Sequence, residues 1–197
     1  MNYLAHAWLS FNEPGILAGN LVSDFVKGKA KLNYSADVRR GIELHRAIDA
    51  FTDTHEATRA AKEVFRPHYR LYAGAFVDVV YDHFLARDEK EFPPGRLESF
   101  SEAVYRQMAP YVPQMPERFQ QMFPYMREHN WLLNYRYRQG IERSFGGLVR
   151  RAAYMDESQT ALALFDEHYA LLQSCYRQFA PEVYAFARAW LDEADGD

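Results

Sequence analysis

A single cysteine, Cys175, in 197 residues leaves no partner for an intrachain disulfide and no set of thiolates for a zinc site. No apolar run approaches the roughly 18–20 residues needed to span a bilayer. The opening MNYLAHAWLSFNEPG lacks a cluster of positive charge and meets Glu13 and Pro14 early, unlike a secretory signal. Basic residues are in no excess: 23 Lys+Arg stand against 27 Asp+Glu, a formal charge of −4, which argues against a general nucleic-acid binder. Alternating Val/Ile/Thr-rich runs closed by hairpin dipeptides are missing, so a sheet has nowhere to sit. Internal repeats and low-complexity segments are missing too. The expectation is a cytoplasmic protein with neither a membrane nor a nucleic-acid partner.

What is present is apolar bulk and helical spacing. Hydrophobic residues make up 48% of the chain and aromatics 16%, enough for a substantial core built with Tyr and Phe. The pattern predicts an all-α protein. Asn2 is placed to cap a first helix bearing Leu4, His6, Trp8 and Leu9, which stops at Asn12–Gly15. A second helix is expected over about 16–27, ended by Gly28, and a third over about 35–51. A fourth begins after Pro67 and reaches about Arg87. Others are expected over 97–108, 117–129, 131–153 and 157–193, with Pro124 and Pro181 interrupting or bending them. Pro93-Pro94-Gly95 is the clearest break. It divides one helical domain, residues 1–197, into a site-bearing half (about 1–92) and a supporting half (about 96–197).

Acidic and histidine residues gather in the first half. His45 and Asp49 stand i,i+4 and project from one helix face, about 40° apart. Asp78 with Asp82, and Asn20 with Asp24, repeat that spacing, each beside an apolar stripe; His83 points about 100° away from Asp82. Two carboxylates at i,i+4 repel, and burying them beside a core is costly unless a cation sits between them. Imidazole and carboxylate without thiolate suit a divalent ion such as Mn²⁺, Fe²⁺, Zn²⁺ or Mg²⁺. Such an ion can acidify a water and polarise a phosphoryl oxygen, which phosphoester hydrolysis requires. The competing reading is a set of solvated helix faces. His55, His68 and His129 lie in polar contexts, His168 reads as structural, and Cys175 as buried and inert. Lys27, Lys29 and Lys31, with Arg39, Arg40 and Arg46, could line the mouth of a metal site and attract an anionic substrate or an acidic protein. Arg143, Arg150 and Arg151 have no such neighbour and read as plain surface.

The segments MNYLAH, GNLVSDFVKG, GIELHRAIDAFTD and DVVYDHFL, in that order over about residues 1–87, resemble the acyl carrier protein phosphodiesterase family. Weaker echoes continue in WLLNYR and EHYALL. The resemblance implies an all-helical fold related to the HD-domain phosphohydrolases and an Mn²⁺-dependent hydrolysis. The bond cut would be the phosphodiester joining 4′-phosphopantetheine to a serine of acyl carrier protein, an acidic partner. It implies His6, Asp24 and Asp82 as metal ligands. The chain has no His-Asp dipeptide, and Ser23 stands where that motif would carry His, so His45 is the substitute imidazole. Asp49, His83 and Arg46 are then the catalytic candidates, with His83 protonating the leaving serine oxygen. Asn20, Asp53 and Asp78 are supporting residues or alternative ligands, and Lys27, Lys29, Lys31, Arg39 and Arg40 receive the carrier protein. Two rivals are a phosphohydrolase of a nucleotide or other small ester, and a module that grips acyl carrier protein without chemistry.

Overall fold

The computed structural model describes residues 1–152 and 157–194, and all regular structure in them is helical. Asn2 caps α1 (Tyr3–Trp8) through its side-chain oxygen, which accepts from the Tyr3 amide. Then come α2 (Pro14–Val22), a 3₁₀ turn over Ser23–Phe25, a second 3₁₀ segment over Gly28–Asn33, and α3 (Ala36–Thr54). The chain continues through α4 (Glu56–Tyr69), α5 (Ala73–Ala86), α6 (Arg96–Met108) and α7 (Glu117–Glu128). It closes with α8 (Trp131–Asn134), α9 (Arg138–Arg151), α10 (Gln159–Glu167) and α11 (Tyr169–Ala194). No helix among the described residues is long and apolar enough to cross a membrane.

Helix α5 is the axis of the molecule. From Val79 to Ala86 every residue is buried, the polar Asp82 and His83 included, as in a largely apolar helix enclosed by others. It packs against α1, α4, α9 and α11. An aromatic knot ties α4, α5 and α9 together, with the Phe76 ring 5.5 Å from that of Phe65 and 5.0 Å from that of Phe145. Helices α2 and α3 approach even more closely. A Cβ on Gly19 would lie 2.0 Å from the Val38 carbonyl oxygen, and one on Gly41 2.2 Å from that of Ile16. Only glycine lets the two backbones touch there, and the crossing sets the α2 residue Asn20 beside the α3 residue His45.

Several expected boundaries move. The second helix stops at Val22, and the chain tightens into the turn that carries Asp24. Helix α4 fills the stretch before Pro67, where no helix is expected. His55 caps it by accepting from the Ala57 amide, and Pro67 lies within it rather than opening the next helix. The long helices expected over 131–153 and 157–193 each divide in two, at Tyr135–Tyr137 and at His168; Ala153 lies outside the described residues. Pro124 and Pro181 stay within α7 and α11, which continue through them.

Candidate metal centre and substrate cavity

His6 comes from α1, Asn20 from α2, Asp24 from the following turn, and His45 and Asp49 from successive turns of α3. The two imidazoles are buried and stacked, with centroids 3.9 Å apart and planes 13° from parallel. Asn20 holds both. Its side-chain amide nitrogen donates to the His6 carbonyl (2.9 Å) and Ser10 Oγ (3.1 Å), which leaves its Oδ1 as an acceptor. His6 Nδ1–H donates to that Oδ1 at 2.7 Å, and His45 Nδ1–H donates to the Asn20 main-chain oxygen at 2.7 Å. Both partners are carbonyl oxygens, so both Nδ1 atoms carry the hydrogen and each neutral ring presents a lone pair at Nε2.

Those two Nε2 atoms are buried and have no hydrogen-bond partner. Carboxylate oxygens stand close to them: Asp49 Oδ1 is 3.3 Å from His6 Nε2, and Asp49 Oδ2 is 3.1 Å from His45 Nε2. Asp24 Oδ1 is 3.3 Å from His45 Nε2. One ligand atom each from His6, His45 and Asp49 lies within 4.8 Å of the others. Lone pairs facing carboxylates require a positive charge between them, either a proton or a cation. Burial opposes charge on His45, but Asp24 and Asp49 outweigh it and lift the imidazole to about 9. Burial, with His45 beside it, lowers His6 to about 4. Burial would raise Asp49, yet His45, His6 and the terminal ammonium hold it far below the usual carboxylate range; His45 likewise lowers Asp24. Two imidazole nitrogens with their far sides anchored, plus a half-buried carboxylate, fit a divalent cation.

The Met1 ammonium, which carries no sequence signal, pairs with Asp49 Oδ1 at 3.3 Å and Asp78 Oδ1 at 3.0 Å. Burial works against its charge, but Asp78 and Asp49 raise it to about 10. Burial pushes Asp78 upward, against the pull of that ammonium.

Other candidates from the sequence go elsewhere. Asp82 is buried beneath α1 and accepts from the amides of Leu4 (2.7 Å), Asn2 (3.3 Å) and Ala5 (3.3 Å), so it serves the helix start rather than the cluster. Burial raises it to about 7, against the ammonium and those amides. His83, one residue on, faces the other side of α5. Its Nδ1–H donates to the Tyr135 carbonyl (2.7 Å), and its Nε2 meets the Tyr169 hydroxyl (3.3 Å) amid Phe84 and Phe165. The helical rotation that brings Asp78 toward the amino terminus carries His83 away from the site expected for a general acid. Arg46 donates to the Val26 carbonyl (3.0 Å) and so steadies the segment just after Asp24. Asp53 is exposed and pairs with Lys62 at 2.7 Å. Lys27 and Lys29 are exposed, Arg39 is half-buried, Lys31 pairs with Glu43 at 2.5 Å, and Arg40 donates to the Leu191 carbonyl.

A cavity of about 160 Å³ opens on the cluster, lined by His6, Asn20, Asp24 and His45 together with Leu148 and Arg151 of α9. The second half of the chain therefore contributes to the site, which the sequence had not indicated. A larger groove, about 670 Å³, is lined by Trp8, Arg87, Tyr176 and Tyr184 and includes none of the cluster residues.

Comparison with known proteins adds an independent line. The family model described as acyl carrier protein phosphodiesterase matches residues 1–183. A protein of Enterobacter sp. strain 638 is 36% identical over 189 residues, covering 95% of this chain and 98% of that protein. One from Photorhabdus laumondii is 34% identical, covering 92% of each chain. One from Escherichia coli O157:H7 is 35% identical over 95% of this chain and 97% of its own. All three carry the name acyl carrier protein phosphodiesterase. No solved structure matches.

Proposed function

Because the chain belongs to the acyl carrier protein phosphodiesterase family, we propose that it removes 4′-phosphopantetheine from holo-acyl carrier protein with a divalent cation, Mn²⁺, as cofactor. Water cleaves the phosphodiester, giving apo-acyl carrier protein with its serine hydroxyl restored and 4′-phosphopantetheine as a phosphomonoester. The chain is in this sense a hydrolase acting on a phosphodiester. The observation that carries the reading is the pair of buried, unpartnered Nε2 atoms of His6 and His45 facing Asp49.

Those three side chains would hold the cation, with exposed Asp24 at the rim as a fourth donor. When bound, the ion supplies charge neutralisation and polarisation of the phosphoryl group. The protein supplies the orientation. Asn20 fixes both ring tautomers through two different carbonyls, so neither imidazole can turn its lone pair away. Arg46 ties down the backbone after Asp24. Lys27 and Lys29, exposed and close to Asp24 in the chain, would offer positive charge to an acidic carrier protein.

The test is mass spectrometry of holo-acyl carrier protein incubated with the protein and Mn²⁺. Loss of the prosthetic-group mass, suppressed by chelator and by His45→Ala or Asp49→Asn, is the expected result. Intact holo-protein with every divalent ion tried would overturn the reading. Faster turnover of small phosphodiesters than of holo-acyl carrier protein would shift the substrate.

A further inference from the structure

A phosphodiester brings negative charge to a cavity whose neighbours Asp24, Asp49 and Asp78 are already acidic, and the Met1 ammonium is paired with two of them. Among the described residues, the one lysine or arginine lining this cavity is Arg151, at the end of α9. Leu148 and Arg151 stand three residues apart, share a helix face, and both line it. The Arg151 Nε–H donates to the Gly147 carbonyl one turn back, at 3.1 Å. That bond holds Nε, and neither Nη group has a hydrogen-bond or ion-pair partner among the described residues. Its charge is felt across the cavity at α1: burial pushes the Tyr3 phenol up to about 12, with Arg151 pulling the other way. Both Arg150 and Arg151 are exposed, but Arg150 does not line the cavity.

We propose that Arg151 is the phosphate-binding residue of this site, its two Nη groups gripping the non-bridging oxygens of the phosphodiester and then those of the phosphomonoester product. A guanidinium fork matches two oxygens of one phosphate, a geometry an ammonium cannot reproduce. Its position on α9 means that the helix assigned no role by the sequence supplies the anion contact, while α1, α2 and α3 supply the cation ligands. The inference rests on the phosphodiesterase reading for its substrate.

Three measurements on R151A, R151K and the control R150A test it. Calorimetry of 4′-phosphopantetheine binding should show affinity lost roughly 10- to 100-fold in R151A, partly kept in R151K and unchanged in R150A. Release of 4′-phosphopantetheine from holo-acyl carrier protein should fall by a similar factor in kcat/KM for R151A. Added guanidinium ion should restore part of that loss, an effect that a merely structural role for Arg151 would not produce. Wild-type affinity and activity in R151A would overturn the inference. If the wild-type protein releases no 4′-phosphopantetheine, the functional reading fails on its own. Calorimetry then still decides Arg151: weaker phosphomonoester binding in R151A supports it, and equal binding rejects it.

Discussion

Asn20 illustrates how much one buried amide can decide. Its Oδ1 orients His6 and its main-chain oxygen orients His45, so the side chain can be replaced without removing the second anchor. Asn20→Leu should therefore weaken Mn²⁺ binding by about 10- to 100-fold rather than abolish it, measured by titration against a competing chelator. The sequence exposed this residue only as the i−4 partner of Asp24; its contact with His45 is long-range. His83 makes the opposite point. Buried among aromatics, it is lowered from its ordinary 6.5 to about 4, so between those values the unfolded chain takes up a proton that the folded one does not. Stability is thus retained above pH 6.5 and lost as the pH falls through about 4. His83→Gln should flatten that part of the stability profile by up to ~1.4 kcal/mol per pH unit, read from urea unfolding at a series of pH values. An unchanged slope would mean that another group titrates there.

At the scale of the element, the α2–α3 crossing is the site's foundation. Gly41→Ala would drive a methyl into the Ile16 carbonyl, where backbone and not a flexible side chain must give way. The helices have to part, and the His45–Asn20 bond stretches with them. Urea unfolding should show a loss of about 1–3 kcal/mol or more, and the surviving folded protein should bind Mn²⁺ weakly. Nothing in the local pattern distinguishes Gly41, inside a helix, from a mere helix weakener. Helix α4, by contrast, is legible in its own spacing: Ala57, Thr58, Ala61, Val64 and Phe65 form one buried face opposite charged residues. The Pro67 signal was sound in kind, a restraint on helix geometry, but it sits inside a helix rather than ahead of one. Asp82 shows the converse, a carboxylate at the spacing of a metal pair that caps a helix nearly eighty residues away.

At the scale of the molecule, the proposed capture of an acidic carrier protein would fall to exposed basic residues. Lys27 and Lys29 stand exposed near Asp24, whereas Arg40 is turned to the Leu191 carbonyl and Lys31 is paired with Glu43. The double variant Lys27→Glu/Lys29→Glu should lower kcat/KM for holo-acyl carrier protein, mainly through slower association, and weaken its dependence on salt. Stopped-flow association at two ionic strengths would check this, and identical salt slopes would count against an encounter role for these lysines. The sequence by itself determined the helical class, the gathering of histidine and carboxylate in the first half and the pairing of His45 with Asp49, because each follows from composition or from spacing within a single helix. Only the tertiary structure decided that His6 stacks on His45, that Asp82 and His83 turn elsewhere, and that Arg151 reaches the cavity. Those outcomes depend on how helices distant in sequence cross and rotate, and no periodicity within one helix encodes the angle at which it meets another.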